Sequence, residues 1–244
     1  MSGVGPRITA VVFDLLYTLV HPGTYPGGCN REGWLADILG VDAAVLDARW
    51  AAFEPILESG RALRGANGLE PELTWVLEVA ADLGVTPTAS DMGRIKEGWD
   101  LTRRAALLDP PPPVMSTLRE LQRRNIPVGV LSNTHALELR AWRESPLASL
   151  VDVVALSHEI GACKPDQAAY AWVLSQLDVT AEAAAYVGDG SNDELEGAKR
   201  AGFSLVVLVE EALARSAPED LPRYRAQADT SVASLDDLVE LLCS

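Results

Sequence analysis

Short apolar runs alternate with amphipathic segments along the second half of the chain. The strand candidates are β-branched and apolar, whereas apolar residues of the helix candidates recur at helical spacing. In chain order they are strand 8–14, helix 114–124, strand 127–132, a helix around 136–143, strand 151–156, helix 167–177, strand 184–188, helix 192–201, strand 205–209 and a helix near 235–242. Strands that alternate with helices pair in parallel through right-handed crossovers. The pattern therefore predicts an α/β fold with a doubly wound, Rossmann-like parallel sheet.

A long helical pattern interrupts this alternation after the first strand. Between residues 21 and 106, Gly and Pro separate four helix-rich stretches, and we predict no strand there. The stretches are Glu32–Leu39, Ala43–Leu57, Glu72–Leu83 and Asp91–Ala105, with tryptophans at 34, 50, 75 and 99. Four prolines, Pro110 to Pro113, follow as a stiff connector. We therefore predict a discontinuous core domain of residues 1–20 and 107–244, and an all-helical inserted domain of residues 21–106.

Composition favours a globular protein that acts on small molecules. Of 244 residues, 48% are hydrophobic and 23% are charged, and the net charge is −15. A field of that sign repels nucleic acid and anionic membrane surfaces, and we expect the protein to bind neither. An anionic small-molecule substrate would need local positive charge. Arg61 and Arg64 could supply it, although such arginines more often lie at solvated helix ends.

Targeting signals and disulfides are not apparent in the sequence. No apolar run approaches the roughly 18 residues of a membrane-spanning helix, and the N-terminus lacks the pattern of a signal peptide. The three cysteines, Cys29, Cys163 and Cys243, are too few and too scattered for a disulfide framework. We therefore expect a cytoplasmic protein, either a monomer or a homodimer.

Polar residues cluster at or near the carboxyl ends of the predicted strands, where doubly wound sheets bind their ligands. The clusters are Phe13-Asp14-Leu15-Leu16-Tyr17-Thr18-Leu19, Leu131-Ser132-Asn133-Thr134, Cys163-Lys164-Pro165-Asp166 and Val187-Gly188-Asp189-Gly190-Ser191-Asn192-Asp193. Each cluster alone is also typical of an ordinary turn or helix cap. Together they supply a carboxylate nucleophile, a hydroxyl, a lysine and two further carboxylates. Phosphoryl transfer with Mg²⁺ needs this set of groups.

In these four motifs, their order and their spacing, the chain resembles the haloacid dehalogenase-like superfamily of hydrolases. The resemblance covers essentially the whole length, and the predicted insert lies where many members carry a helical cap. It implies that Asp14 is the catalytic nucleophile and that Ser132 binds the transferring group with Asn133 beside it. It also implies that Lys164 balances charge between the nucleophile and the substrate, and that Thr18 steadies the loop after the nucleophile.

The same resemblance implies a magnesium site. Asp189 and Asp193 would hold Mg²⁺ together with Asp14, and the backbone carbonyl of Leu16 would supply a further oxygen. Hard oxygen ligands of this kind suit Mg²⁺. A Mg²⁺ cofactor and a small anionic substrate are therefore expected.

The first motif departs from the pattern of the family's phosphatases. They read Asp-x-Asp-Gly-Thr, whereas this chain reads Asp14-Leu15-Leu16-Tyr17-Thr18. The second Asp protonates the leaving alcohol and later activates water, and Leu16 can do neither. General acid–base catalysis is worth about 10²–10⁴-fold, so ordinary alkyl phosphates should be poor substrates. Tyr17 must also accept the backbone conformation that glycine usually supplies.

Three functions remain open at this point. The first is a Mg²⁺-dependent phosphohydrolase for a substrate with a good leaving group, or one in which Tyr17 or His21 supplies the proton. We favour it because the pair Asp189 and Asp193 is intact. Another function is that of a binding protein that keeps the fold after losing catalysis.

The remaining function is that of a 2-haloacid dehalogenase, in which halide leaves the substrate without help from an acid. Those enzymes resemble this chain in Phe-Asp-Leu, in Leu-Ser-Asn and in a tyrosine six residues beyond the lysine, which Tyr170 matches. They differ in carrying Tyr where Leu16 stands, in needing no metal, and in replacing Gly188-Asp189 with Ser and Asn. Tyr170 is also explained by packing within its helix.

Overall fold

A computed structural model describes residues 8–58, 71–135 and 139–243. Within these ranges six strands form one parallel sheet with the order β3-β2-β1-β4-β5-β6. They are β1 Ala10–Phe13, β2 Val128–Ser132, β3 Val153–Leu156, β4 Ala184–Gly188, β5 Leu205–Val209 and β6 Thr230–Val232. The predicted doubly wound sheet is confirmed.

The first strand lies in the middle of the sheet. β1 pairs on one side with β2, where Val11 faces Val128, and on the other side with β4, where Val11 faces Ala185. All residues of β1 are fully buried. Helices cover both faces of such a strand, which explains its unbroken apolar sequence. Asp14 follows β1 and therefore lies where the strand order reverses, the usual position of a ligand site in doubly wound sheets.

Four helices occupy the described part of the chain between β1 and β2. They are α1 Arg31–Leu39, α2 Ala43–Glu58, α3 Pro71–Asp82 and α4 Ala89–Leu108. Each predicted helical stretch of this segment corresponds to one of them. The predicted domain boundary between residues 106 and 107 falls inside α4, and Leu107 packs in the core of the sheet. Arg61 and Arg64 lie outside the described residues.

The four tryptophans of these helices form a hydrophobic core of their own. All are buried, and the cluster that contains them draws its buried residues from positions 25 to 99. The ring centroids of Trp50 and Trp75 are 3.9 Å apart, and those of Trp50 and Trp99 are 5.5 Å apart. The tryptophans therefore stabilise the helical insert.

Seven further helices follow in the described chain. They are α5 Pro112–Arg123, α6 Ser157–Ile160, α7 Gln167–Leu177, α8 Glu194–Ala201, α9 Glu211–Ser216, α10 Leu221–Gln227 and α11 Leu238–Cys243. Four of them, α5, α7, α8 and α11, supply buried residues to the core on the two faces of the sheet. Alternate strand residues face opposite sides. Phe13 and Val187 pack with α5 and α11, whereas Val12 and Tyr186 pack with α7 and α8. No described helix is long and apolar enough to cross a membrane.

Several predicted elements differ from the structure. The helix predicted around 136–143 is wrong where it is described, because residues 142–144 and 146–149 form two short 3₁₀ helices. Residues 136–138 lie outside the described part. The proline connector is shorter than predicted, because Pro112 begins α5, where a missing N–H costs nothing. The pattern missed β6, α6, α9 and α10.

Candidate active site

Asp14 lies at the centre of a buried polar cluster at the carboxyl edge of the sheet. Its backbone N–H donates to the carbonyl of Val187 at 2.9 Å, which ties it to β4. Its side chain is only 5% exposed. Oδ1 accepts a hydrogen bond from the ammonium of Lys164 at 2.5 Å. Oδ2 has no hydrogen-bond partner among the described residues, so this oxygen is the one available to a ligand or a reacting atom.

The backbone of Lys164 is fixed by the side chain of Asn133. The Lys164 N–H donates to Asn133 Oδ1 at 2.7 Å, and Asn133 Nδ2 donates to the Lys164 carbonyl at 2.9 Å. Both ends of this amide thus join the loop after β2 to the loop before α7. The geometry thus shows that Asn133 positions Lys164. The contact with the substrate expected for Ser132, Asn133 and Lys164 stays a prediction.

Two buried hydroxyls lie beside this cluster without a hydrogen-bond partner in the described chain, Ser132 Oγ and Thr18 Oγ1. A buried hydroxyl without a partner is unfavourable, so such atoms are typical of a site that a ligand completes. Ser132 ends β2 next to β1, as its predicted role requires. Backbone bonds close the loop after Asp14, among them Tyr17 N–H to the Val20 carbonyl at 2.7 Å. We see no described bond from the Thr18 hydroxyl that would steady this loop.

The carboxylates that meet at the site differ from the predicted set in one member. Asp14, Asp189 and Glu194 each offer an oxygen within 4.8 Å of the others. Asp193 is exposed and lies outside this group. Asn192 and Asp193 both have positive φ, 53° and 50°, so the chain turns sharply before α8. This turn directs Glu194 inward in place of its neighbour, which the spacing of the motif did not reveal.

Glu194 is completely buried and strongly hydrogen-bonded. Its Oε1 accepts from the Gly190 N–H at 2.9 Å, and its Oε2 accepts from the Tyr186 hydroxyl at 2.7 Å and from the ammonium of Lys164. A Cβ at Gly188 would lie 2.1 Å from Oε1, so the glycine makes room for the carboxylate. Burial, and then the charge of Glu194, raises the pKa of Tyr186 well above its usual value. The phenol therefore stays protonated and donates.

Burial and crowding of charge shift the titration of this cluster. Burial raises the pKa of Asp14 to about 8; Lys164 opposes the shift, and Glu194 and Asp189 add to it. Burial, and then Glu194, raises the pKa of Asp189 to about 6, although hydrogen bonds from Ser191 oppose it. Burial lowers the pKa of Lys164, but the neighbouring carboxylates outweigh burial and the pKa is raised overall. The lysine is therefore an ammonium at neutral pH.

Charge and donor chemistry fit a divalent cation. Three carboxylates and one ammonium leave two negative charges when all are ionised. Carboxylate oxygens are the donors that Mg²⁺ prefers, and Asp14 Oδ2 is buried without a partner in the described chain. The residues present therefore fit Mg²⁺. The side chain of Leu16 packs against the apolar core instead, and its carbonyl remains a predicted ligand.

The residues proposed to replace the missing acid lie in different surroundings. Tyr17 is 44% exposed and has φ 66°, the left-handed conformation that glycine adopts more readily. His21 is half-buried, and burial lowers its pKa. Tyr170 is fully buried, and its hydroxyl donates to the backbone carbonyl of Glu194 at 2.8 Å. Its position therefore agrees with the packing interpretation.

A polar pair joins the helical insert to the loop that carries Ser132. His135 lies three residues beyond Ser132, and its Nδ1 is 3.0 Å from Oε1 of Glu72 on α3. Both side chains are buried. The ring of Trp99 on α4 meets the His135 ring edge-on with centroids 6.1 Å apart. The insert is thus in direct contact with the loop of the second motif, in part through Glu72 and His135, whose contact the sequence did not reveal.

Comparison with curated proteins finds phosphatases. A segment of 94 residues is 39% identical to the phosphatase MT3486 of Mycobacterium tuberculosis (strain CDC 1551 / Oshkosh) and covers 38% of this chain and 43% of that protein. A segment of 142 residues is 27% identical to a glyceraldehyde 3-phosphate phosphatase of Methanocaldococcus jannaschii and covers 57% of this chain and 59% of that protein. The chain thus matches about half the length of these relatives.

Solved structures with the same fold include dehalogenases. The crystal structure of a dehalogenase has a TM-score of 0.65 and 21% identity, with 97% of this chain and 98% of that chain covered. The L-2-haloacid dehalogenase of Xanthobacter autotrophicus has a TM-score of 0.60 and 24% identity, over the same shares of the two chains. At such identity the likeness concerns the fold alone.

The family model of haloacid dehalogenase-like hydrolases matches residues 8–202, which include all four motifs. With the parallel sheet and the buried Asp14 at its switch point, the match leaves no ambiguity: the chain belongs to the family of haloacid dehalogenase-like hydrolases.

Proposed function

We propose that the protein is a Mg²⁺-dependent phosphohydrolase that acts on a small phosphorylated metabolite with a good leaving group. The observation that carries the proposal is the buried group of Asp14, Asp189 and Glu194 around the ammonium of Lys164. A phosphate ester would bring further negative charge into this pocket, so catalysis there needs a cation. The phosphatases among the curated relatives support the same assignment.

The proposed reaction proceeds through a phosphorylated Asp14. Oδ2, the oxygen without a described partner, attacks phosphorus while Lys164 holds Oδ1. An O–P bond forms as the bond from phosphorus to the leaving group breaks, and its electron pair departs with the leaving group. Water then attacks phosphorus, which releases phosphate and restores the carboxylate. The hydroxyl of Ser132 donates to a phosphoryl oxygen, and Mg²⁺, when bound, offsets charge on those oxygens.

The leaving group is restricted by Leu16. The side chain of Leu16 cannot donate a proton, so the departing group must be stable as an anion or must receive its proton from another source. An acyl phosphate, whose leaving group is a carboxylate, meets this condition, whereas an alkyl phosphate does not. We further propose that α3 and α4 act as the cap that contacts the leaving group, because Glu72 and Trp99 reach the loop of the second motif through His135.

A substrate panel tests the proposal. Purified protein would be given acetyl phosphate, p-nitrophenyl phosphate, glycerol 3-phosphate and 2-chloropropionate, each with Mg²⁺ and with EDTA, and release of phosphate and chloride would be measured. We expect Mg²⁺-dependent phosphate release, fastest from acetyl phosphate and slowest from glycerol 3-phosphate. Asp14→Asn is the control and should abolish it.

Two results would contradict the proposal. Chloride release in EDTA would identify a 2-haloacid dehalogenase, the activity suggested by several proteins of the same fold. Absence of release from every compound, together with binding of phosphate to the wild-type protein, would identify a binding protein that has lost catalysis.

A further inference from the structure

The hydrogen bonds of Glu194 are those expected of a residue that holds a cationic side chain, the ammonium of Lys164. Three donors reach its carboxylate: the Gly190 N–H at Oε1, and the Tyr186 hydroxyl and the Lys164 ammonium at Oε2. All three groups are buried, and charge-assisted hydrogen bonds of this kind are the strong ones. A metal ion bound at Oε2 would have to share one oxygen with an ammonium, against their mutual repulsion.

The carboxylates of Asp14 and Asp189 accept fewer hydrogen bonds than the carboxylate of Glu194. Asp14 Oδ2 has no partner among the described residues. Among the described residues, both hydrogen bonds that the Asp189 side chain accepts go to Oδ1. They come from the Ser191 N–H at 3.0 Å and from the Ser191 hydroxyl at 2.7 Å. Each therefore keeps an oxygen that a metal could use.

From this contrast we propose that Glu194 anchors Lys164 rather than ligating the metal, and that Tyr186 is the positioning residue that holds Glu194 in that role. The inference rests on the proposed function for its kinetic part only. Glu194 and Asp14 accept from the same ammonium. The orientation of the glutamate thereby sets how the lysine meets the nucleophile.

Tyr186 is well placed to fix that orientation. It lies in β4, fully buried, with ring centroids 5.6 Å from those of both Tyr170 and Phe203. Packing therefore fixes its ring and the direction of its hydroxyl. Gly188 lies two residues further along the same strand and faces the same side. Its missing side chain leaves the space that the Glu194 carboxylate occupies.

Tyr170 offers a matched control for Tyr186. It packs in the same aromatic cluster, and its hydroxyl also bonds to Glu194, but to the backbone carbonyl, at 2.8 Å. Tyr186→Phe and Tyr170→Phe each remove one buried hydroxyl from the same neighbourhood. Only the first removes a donor from the carboxylate.

The first experiment needs no activity. Crystals of the wild-type protein would be soaked in Mn²⁺, and anomalous diffraction would locate the ion. We expect Asp14 and Asp189 oxygens as ligands, within the range of about 2.0–2.6 Å for oxygen ligation, and Glu194 outside it. A Glu194 oxygen bonded to the ion would overturn the first half of the proposal.

The second experiment compares the two tyrosine variants by crystallography and kinetics with acetyl phosphate. We expect Tyr186→Phe to displace the Lys164 ammonium from Asp14 Oδ1 and to lower kcat about tenfold, the value of a lost hydrogen bond to a charged group. KM and the Mg²⁺ dissociation constant should change less than about twofold, because such a loss affects the chemical step and not ground-state binding. Tyr170→Phe should keep both the contact and kcat.

The results separate this inference from the proposed function. An unmoved Lys164 in crystals of Tyr186→Phe, or equal kcat in the two variants, would overturn the role of Tyr186. A wild-type protein that neither binds Mn²⁺ nor releases phosphate would contradict the proposed function, and the position of Lys164 in the variant would still decide the role of Tyr186.

Discussion

In the phosphoryl transfer that we propose, Leu16 restricts the leaving group more than any other side chain does. It lies two residues beyond Asp14, packs against the apolar core, and has no proton to donate. Tyr17 beside it has a positive φ, so the loop keeps the backbone shape that glycine would favour. The loop therefore keeps this backbone shape with Leu16 in place of an acid.

If the proposed reaction is right, a carboxylate at position 16 should raise the rate with alkyl phosphates. We expect Leu16→Asp to raise kcat/KM for glycerol 3-phosphate by at least about 10²-fold, the lower range of general acid–base catalysis. Leu16→Asn is the matched control, because it is polar and similar in size but cannot transfer a proton at neutral pH. If Leu16→Asp and Leu16→Asn react equally, Leu16→Asp with Tyr17→Gly would test whether loop strain is the obstacle.

The raised pKa values of Asp14 and Asp189 imply an unusual pH dependence. A folded protein whose carboxyl pKa exceeds that of the unfolded chain binds protons more tightly, so it loses stability as pH rises from the unfolded pKa of 3.8 to about 8. In EDTA, we expect Tm to fall over this window and Mg²⁺ to remove much of the fall. Asp14→Asn should give a flatter profile in EDTA. Parallel profiles for the two proteins would show that Asp14 does not contribute.

Sequence predicted some members of this cluster and not others, for a physical reason. Asp14 and Lys164 follow from residue type and position, since strand ends converge at one edge of a parallel sheet. Glu194 and Tyr186 do not. Which of the two acids at 193 and 194 turns inward depends on two consecutive positive φ angles, and the direction of a buried tyrosine depends on its packing partners. The spacing of residues along the sequence predicts neither of these two features.

Close approach of two helices in the insert makes a further prediction possible. Gly98 of α4 lies so near Trp34 of α1 that a Cβ would be 2.1 Å from the indole ring. We expect Gly98→Ala to destabilise the protein by about 1–3 kcal/mol through overpacking. Gly93→Ala in the same helix meets nothing within 4 Å and should stabilise by about 0.5–1 kcal/mol. Urea unfolding followed by tryptophan fluorescence measures both, and equal effects would contradict the packing argument.

Elements with strong periodicity were predicted well, and weak ones were not. The four helices of the insert and five of the six strands of the described sheet agree with the pattern. The strand β6 has only three residues at an edge of the sheet, too few to show alternation. The helix expected around 136–143 has helix-forming residues, but Ser145 and Pro146 close the segment into short turns. Tertiary context decided there, and local propensity did not.

A direct contact between the insert and the sheet should appear as an energetic coupling between the residues that form it. The pair Glu72 and His135 crosses between them while buried. We expect a double-mutant cycle with Glu72→Ala and His135→Ala to give a coupling of about 0.5–3 kcal/mol in unfolding, and KM to rise more in the double variant than in Gly93→Ala, which lies away from this contact. Additive effects of the two changes would show that the pair does not link the two parts.

The position of β1 also has a consequence for synthesis of the chain. Among the strands of the described sheet, β1 leaves the ribosome first, but its two neighbours, β2 and β4, end at residues 132 and 188. The residues of the tryptophan cluster, 25 to 99, are all made before either neighbour. Domains generally fold as units as they emerge. The nascent insert can therefore bury its tryptophans before β1 has either neighbour, so the candidate site is assembled only after β4, which ends at residue 188, has been made.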